Sequence, residues 1–136
     1  MVSYHISYEG RLRCEATHDP SQVRIVTDAP TDNHGRGESF SPTDLVAAAL
    51  GVCMLTTMGI AVQKESIILD GSRVYVEKHM SMDPPRRIAR IVLKLEFAPG
   101  IPEDRRAYLE QVARTCPVAR SIHPDTEIDL TFSYPD

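Results

Sequence analysis

Three cysteines, Cys14, Cys53 and Cys116, are the residues of this 136-residue chain best suited to covalent chemistry. A thiolate is a nucleophile and a metal ligand, and two thiols on one core can form a disulfide when their Cα atoms approach within about 7 Å. The odd count leaves at least one thiol free, and no CxxC or CxxH spacing is present, which argues against a structural zinc site. Soft thiolates also suit copper, but His5, His18, His34, His79 and His123 are scattered without ligand spacing, so metal binding through Cys53, Cys116 and a histidine is the weaker reading. Cys14 lies on a candidate strand with no flanking signal and is given no role.

Cys53 and Cys116 sit in different settings. Cys53 falls about three turns into a long apolar run, where a thiol can be inert packing as well as a nucleophile. Cys116 is followed by Pro117, which biases it away from helical geometry, so one helix should end near Thr115 and a short one begin at Pro117. Met1 to Tyr8 shows no basic segment followed by an apolar one, so no secretory signal is visible and a cytoplasmic protein is expected. In that compartment a cysteine pair is more often catalytic or sensing than structural.

The elements that must position these thiols can be read from periodicity. Val2 to Tyr8, Arg11 to Thr17 and Gln22 to Thr27 are short, rich in Val, Ile, Tyr and Thr, and separated by turn residues, which predicts a three-stranded antiparallel meander. Asp28 to Phe40 is long for a loop within a compact domain, and loops of that length tend to be functional or mobile. Ser41-Pro42-Thr43-Asp44 then marks a helix start: Ser as cap, Pro in the first turn, and an acid three residues after the cap.

From Leu45 to Leu55 every residue is apolar or Gly, and apolar character resumes after Thr56-Thr57 through Val62. A helix apolar on all sides is a membrane span or a buried core helix. Gly51, Thr56 and Thr57 interrupt the run, Ala47 to Ala49 add little, and no second span accompanies it, which favours the core helix. A single domain of residues 1–136 has too little material to cover such a helix on every face, so a partner chain is expected to cover the rest.

Beyond this helix, Val74, Val76, Met80 and Met82 alternate with polar residues, as do Ile91, Leu93, Leu95 and Phe97 after Asp83-Pro84-Pro85-Arg86, predicting a hairpin. Pro102 to Thr115 reads as an amphipathic helix with Tyr108, Leu109, Val112 and Cys116 on one face, and Glu127 to Tyr134 as a strand with one wet face. The expected architecture is α+β, antiparallel sheets around a long buried central helix, in the order βββ-α-ββ-αα-β.

With 15 basic and 19 acidic residues, the chain lacks the positive footprint that phosphate-backbone binding needs, so nucleic acid is not an expected partner. Twelve of the basic residues are arginine, which suits directed anion pairing. A mid-helix thiol cannot use a helix N-terminus, so a nearby cation is expected to lower the Cys53 pKa. The candidates are Arg11 and Arg13, two apart and so on one face of a strand, with Arg36 in the long loop as a third.

Ser41-Pro42-Thr43-Asp44-Leu45-Val46-Ala47-Ala48-Ala49-Leu50-Gly51-Val52-Cys53, followed 63 positions later by Cys116-Pro117-Val118-Ala119-Arg120-Ser121, resembles the OsmC/Ohr family of osmotically induced and organic hydroperoxide resistance proteins. The resemblance implies an intertwined α+β homodimer with two sites between subunits, and thiol-dependent reduction of organic hydroperoxides without a bound cofactor. Carried over, Cys53 matches the peroxidatic cysteine and Cys116 the resolving one, with an external dithiol or lipoyl-type reductant resetting the pair. Arg11 or Arg13 would hydrogen-bond the departing oxygen.

One departure stands out. The hydroperoxide-resistance branch carries Glu, which orients the catalytic arginine, where this chain has Thr43, ten residues before the cysteine. The carboxylate is displaced to Asp44, about 100° around the helix, where it can cap. Asp28-Ala29-Pro30 and the short N-terminal half resemble the OsmC-like branch more closely. Thr43 and the lack of an assignable arginine keep a second reading open: a dimeric binding or redox-sensing module without turnover.

Overall fold

A computed structural model describes residues 1–135. Its order of elements is β1 (Tyr4–Gly10), β2 (Arg13–His18), β3 (Arg24–Asp28), a 3-10 turn (Thr31–Asn33), α1 (Pro42–Ala61), β4 (Arg73–Met80), β5 (Ile88–Glu96), α2 (Glu103–Arg114), a second 3-10 turn (Ala119–Ser121) and β6 (Glu127–Ser133). The α+β class and the order of elements are as expected, with the last helix reduced to one 3-10 turn. The chain divides into two compact units, Met1–Val46 and the part from Ala47 onward.

The first unit is the meander, in the sheet order β1-β2-β3, antiparallel throughout. Gly10 pairs with Arg13, so Arg11 and Leu12 are the two central residues of the β1–β2 connection, at φ 53° and 63°. Two consecutive positive φ values match the twist of the flanking strands in a two-residue hairpin. The expectation that Arg11 shares a strand face with Arg13 is therefore corrected: β2 begins at Arg13. One face of this sheet carries Tyr4, Ile6, Tyr8, Cys14, Ala16 and Ile25, and Tyr4, Ile6, Tyr8 and Ile25 are exposed in the single chain.

The long 28–40 loop is tied down. Arg13 clasps Asp28 with two parallel hydrogen bonds, Nε to Oδ1 at 2.7 Å and Nη2 to Oδ2 at 2.8 Å, and the Glu38 amide donates to Asp28 Oδ2 at 3.1 Å. Asp28 and Phe40 are joined through the backbone, the Asp28 N–H donating to the Phe40 carbonyl at 3.2 Å. Gly35 packs so closely on Ala29 that a Cβ would lie 1.7 Å from the Ala29 carbonyl oxygen.

α1 opens with a reciprocal cap. The Asp44 N–H donates to Ser41 Oγ at 3.1 Å, and the Ser41 N–H donates to Asp44 Oδ2 at 2.8 Å. This satisfies two backbone donors that a helix start leaves open. By length and composition α1 could cross a membrane. In the fold, however, it contributes Ala47, Leu50, Met54 and Met58 to the core of the second unit, together with Ile91, Leu93, Leu95, Phe97, Leu109, Ala113 and Cys116. The single chain covers the helix on one side only, leaving Val52 and Ile60 61% and 65% exposed, in line with the expectation that 136 residues are too few to enclose it.

The second sheet has the order β4-β5-β6. β4 and β5 form the expected hairpin, but β4 ends at Met80, and Met82 lies exposed in the turn rather than on the strand. β6 runs parallel to β5, which corrects the expectation of antiparallel sheets alone. The segment between them includes α2, and a parallel pair needs a crossover of this kind. On α2 the buried residues are Leu109 and Ala113, and Tyr108 is exposed beneath the Arg105 guanidinium, 4.4 Å from its ring centroid. The buried stripe is 109, 113 and 116, at helical spacing, which leaves Tyr108 outside it.

Two outcomes are expected. Gly35→Ala should destabilise the protein by about 2 kcal/mol or more, because backbone must move to admit the methyl group; chemical denaturation measures this. The Arg13 hydrogen bond holds the Asp28 carboxyl below the ordinary carboxylate range, against the opposing effect of burial. A lowered folded-state pKa stabilises above the unfolded value, about 3.9, and that stability is lost as pH falls through the folded value. Asp28→Asn should therefore lower the melting temperature at neutral pH, with the gap to native protein narrowing in acid.

Candidate active site

α1 carries Cys53 on a half-buried flank, packed against the core of the second unit. α2 carries the chain to Thr115, after which Cys116 is fully buried. The segment beyond it turns tightly: the Arg120 N–H donates to the Cys116 carbonyl at 3.1 Å, and the Ser121 N–H to the Val118 carbonyl at 2.9 Å. Pro117 has no N–H, so Val118 and Ala119 supply the first amides after the cysteine. The Val118 amide favours the thiolate form of both cysteines, and the Ala119 amide that of Cys116.

The two thiols lie close enough to influence each other's ionisation, and their environments push them in opposite directions. Burial opposes ionisation of Cys53, but the Val118 amide, the Thr57 hydroxyl and the Cys116 thiol together bring its pKa below the ordinary thiol value. Burial raises Cys116, and the neighbouring Cys53 raises it further, against the Ala119 and Val118 amides. The surroundings thus favour the thiolate at Cys53 and the thiol at Cys116. Thr57 lies one helical turn beyond Cys53, its Oγ1 3.7 Å from Sγ.

The structure thus brings Cys53 and Cys116 together within the second unit. The groups that lower Cys53 there are neutral donors, whereas the sequence led to the expectation of a cation. Arg11 and Arg13 lie in the first unit, Arg11 in the β1–β2 turn and Arg13 held by Asp28, with Glu38 at 3.4 Å. Arg36 pairs with Glu38 at 3.7 Å. Cys14 faces the exposed apolar side of the first sheet opposite Tyr8. Among the described residues no group of three or more His, Cys, Asp or Glu side chains could hold a metal ion. Sequence reasoning missed Thr57, whose signal is a polar residue four positions after the cysteine in an apolar helix. It also missed the Val118 amide, for which side-chain identity carries no signal.

A family model described as OsmC-like protein matches residues 35–131. The chain belongs to the OsmC-like family. Among solved structures, a protein of Psychrobacter arcticus provisionally described as an osmotic stress induced and detoxification response protein is 40% identical, with a TM-score of 0.91, over 98% of this chain and 96% of that one. An organic hydroperoxide resistance protein OsmC of Legionella pneumophila is 17% identical, with a TM-score of 0.76, over 98% of this chain and 96% of that one. An organic hydroperoxide resistance protein of Elizabethkingia anophelis is 16% identical, with a TM-score of 0.77, over 99% of this chain and 96% of that one. At those two lower identities the likeness shows a shared fold. No match was found among curated proteins.

The opposite shifts predict selective alkylation. In reduced protein, iodoacetamide should label Cys53 at a lower pH than Cys116. Peptide mass spectrometry across a pH series reads both sites.

Proposed function

We propose that the protein is a thiol-dependent peroxidase that reduces organic hydroperoxides to alcohols in oxidative stress defence. The observation that carries this reading is that Cys53 and Cys116 share one core close to each other, with opposed pKa shifts. The Cys53 thiolate attacks the outer peroxide oxygen, the O–O bond breaks, and the alkoxide takes a proton to leave as an alcohol, giving Cys53 sulfenic acid. Cys116 then attacks the sulfenate sulfur, water leaves, and a disulfide forms. A dithiol or lipoyl-type reductant attacks that disulfide through a mixed disulfide, is itself oxidised, and returns both thiols. No bound cofactor is required.

In this reading Arg13 donates to the departing oxygen, with Arg11 as the alternative. Asp28 leaves Arg13 a fixed direction, since a bidentate carboxylate pair restrains a guanidinium in both position and plane. Each chain acts as one OsmC-like domain in the cytoplasm, without nucleic acid or membrane as partner. Two chains form a homodimer with the sites at the subunit interface. The support for a second copy is the apolar flank of α1 that a single chain leaves open at Val52 and Ile60, together with the exposed Tyr4, Ile6 and Tyr8 face.

A second reading, a dimeric binding or redox-sensing module without turnover, is favoured by one observation. Thr43 stands where the hydroperoxide-resistance branch has Glu, and the adjacent Asp44 is engaged as a helix cap.

Reduced protein treated with one equivalent of an alkyl hydroperoxide should lose two hydrogens in intact mass as the Cys53–Cys116 disulfide forms. Cys116→Ser should stop at a sulfenate, and Cys53→Ser should show neither. Absence of both products in native protein would end the peroxidase reading. Sustained peroxide consumption with a dithiol reductant, lost in Cys53→Ser, would exclude the sensing module.

A further inference from the structure

Thr56 and Thr57 interrupt an otherwise apolar helix. Thr56 is exposed, where a hydroxyl needs no explanation. Thr57 is half-buried, where valine has the same shape and avoids the cost of withdrawing a hydroxyl from water. A hydroxyl at such a position calls for a partner, and a mid-helix threonine often takes the carbonyl one turn back. Here its side-chain partner is the sulfur of Cys53, four residues earlier on the same helix face.

We propose that Thr57 is a positioning residue for Cys53, its hydroxyl donating to the sulfur 3.7 Å away so that the thiolate is stabilised and held against the turn that carries Cys116. The role of that thiolate as peroxidatic nucleophile rests on the function proposed above; the contact itself does not. The titratable group facing Cys53 is Cys116, on the segment after α2, and the remaining donor is the Val118 amide. Cys116 and Val118 come from the segment after α2, so Thr57 is the donor that α1 itself supplies. A thiolate held this way is activated within the second unit, which frees an arginine to serve the peroxide oxygen rather than the sulfur.

The test compares Thr57→Val, Thr57→Ala and Thr57→Ser, each checked for native circular dichroism, by the pH dependence of Cys53 alkylation in reduced protein. Removing a hydrogen bond to a charged group should raise the Cys53 midpoint by about one pH unit in the Val and Ala variants, a roughly tenfold loss of thiolate at neutral pH. Thr57→Ser should stay near the native midpoint. Should Val fail to fold, Ala removes the same hydroxyl with less crowding. An unchanged midpoint in the folded hydroxyl-free variants would overturn the proposal, and so would a Ser variant shifted as far as Ala. If native protein forms neither sulfenate nor disulfide with peroxide, the peroxidase reading fails while the midpoint comparison still judges Thr57.

Discussion

Gly51 leaves space where any other residue would place a side chain, and Val74 and Val76 of β4 fill it, 3.0 and 3.1 Å from where a Cβ would stand. That close approach lets α1 lie deep on the second sheet, with Leu50, Met54 and Met58 buried beside it. A larger residue at 51 would lift the helix, and because interiors are close-packed the displacement would pass to its neighbours. Cys53 is two residues further along the same helix. Its distance from Cys116, on a segment anchored by Leu109 and Ala113, is set by how closely α1 and α2 share this core.

Once the helix is seated, the reactive asymmetry of the thiols follows from small local differences. Both sulfurs begin alike, and burial penalises the charged form of each. Cys116 is fully buried and has a second thiol beside it, both of which raise its pKa. Cys53 is less enclosed and receives donors from two directions, the turn after Pro117 and its own helix. Neutral dipoles contribute because they are already oriented by the fold and work in a partly dry setting, where a hydrogen bond to charge is worth more than in water. Side-chain charge is visible in a sequence, whereas backbone amides are not.

Much of the architecture was legible because it is written in local chemistry. Ser41, Pro42 and Asp44 announce the start of α1, and the reciprocal bonds between Ser41 and Asp44 are what that pattern produces. The approach of Cys53 to Cys116 was legible only through motif resemblance, since no local rule brings together residues 63 apart. Other features escaped for definite reasons. Arg11-Leu12 occupies a turn that usually shows itself by Asn-Gly, so the strand was read two residues too early. The alternation from Glu127 to Ser133 gives a strand and its wet face but carries no information on direction, which the α2 crossover decides. Tyr108 was placed inward by its hydrophobicity, yet an aromatic ring can lie on the surface when an arginine covers it.

The first unit makes a complementary point about charge. Asp28 is 1% exposed, and a buried carboxylate is tolerable only when its lone pairs are engaged. Arg13 and the Glu38 amide supply the three bonds, and the same bonds close the 28–40 loop on itself. A loop that composition marks as mobile is therefore held by the Arg13–Asp28 pair, the Gly35 contact and backbone bonds such as Asp28 N–H to the Phe40 carbonyl. That coupling limits how freely Arg13 can change. Any substitution there would strand Asp28 in a dry site as well as remove a cation, so an Arg13 variant would mix two effects. The Asp28→Asn variant separates them in part, because it keeps the guanidinium while releasing its direction.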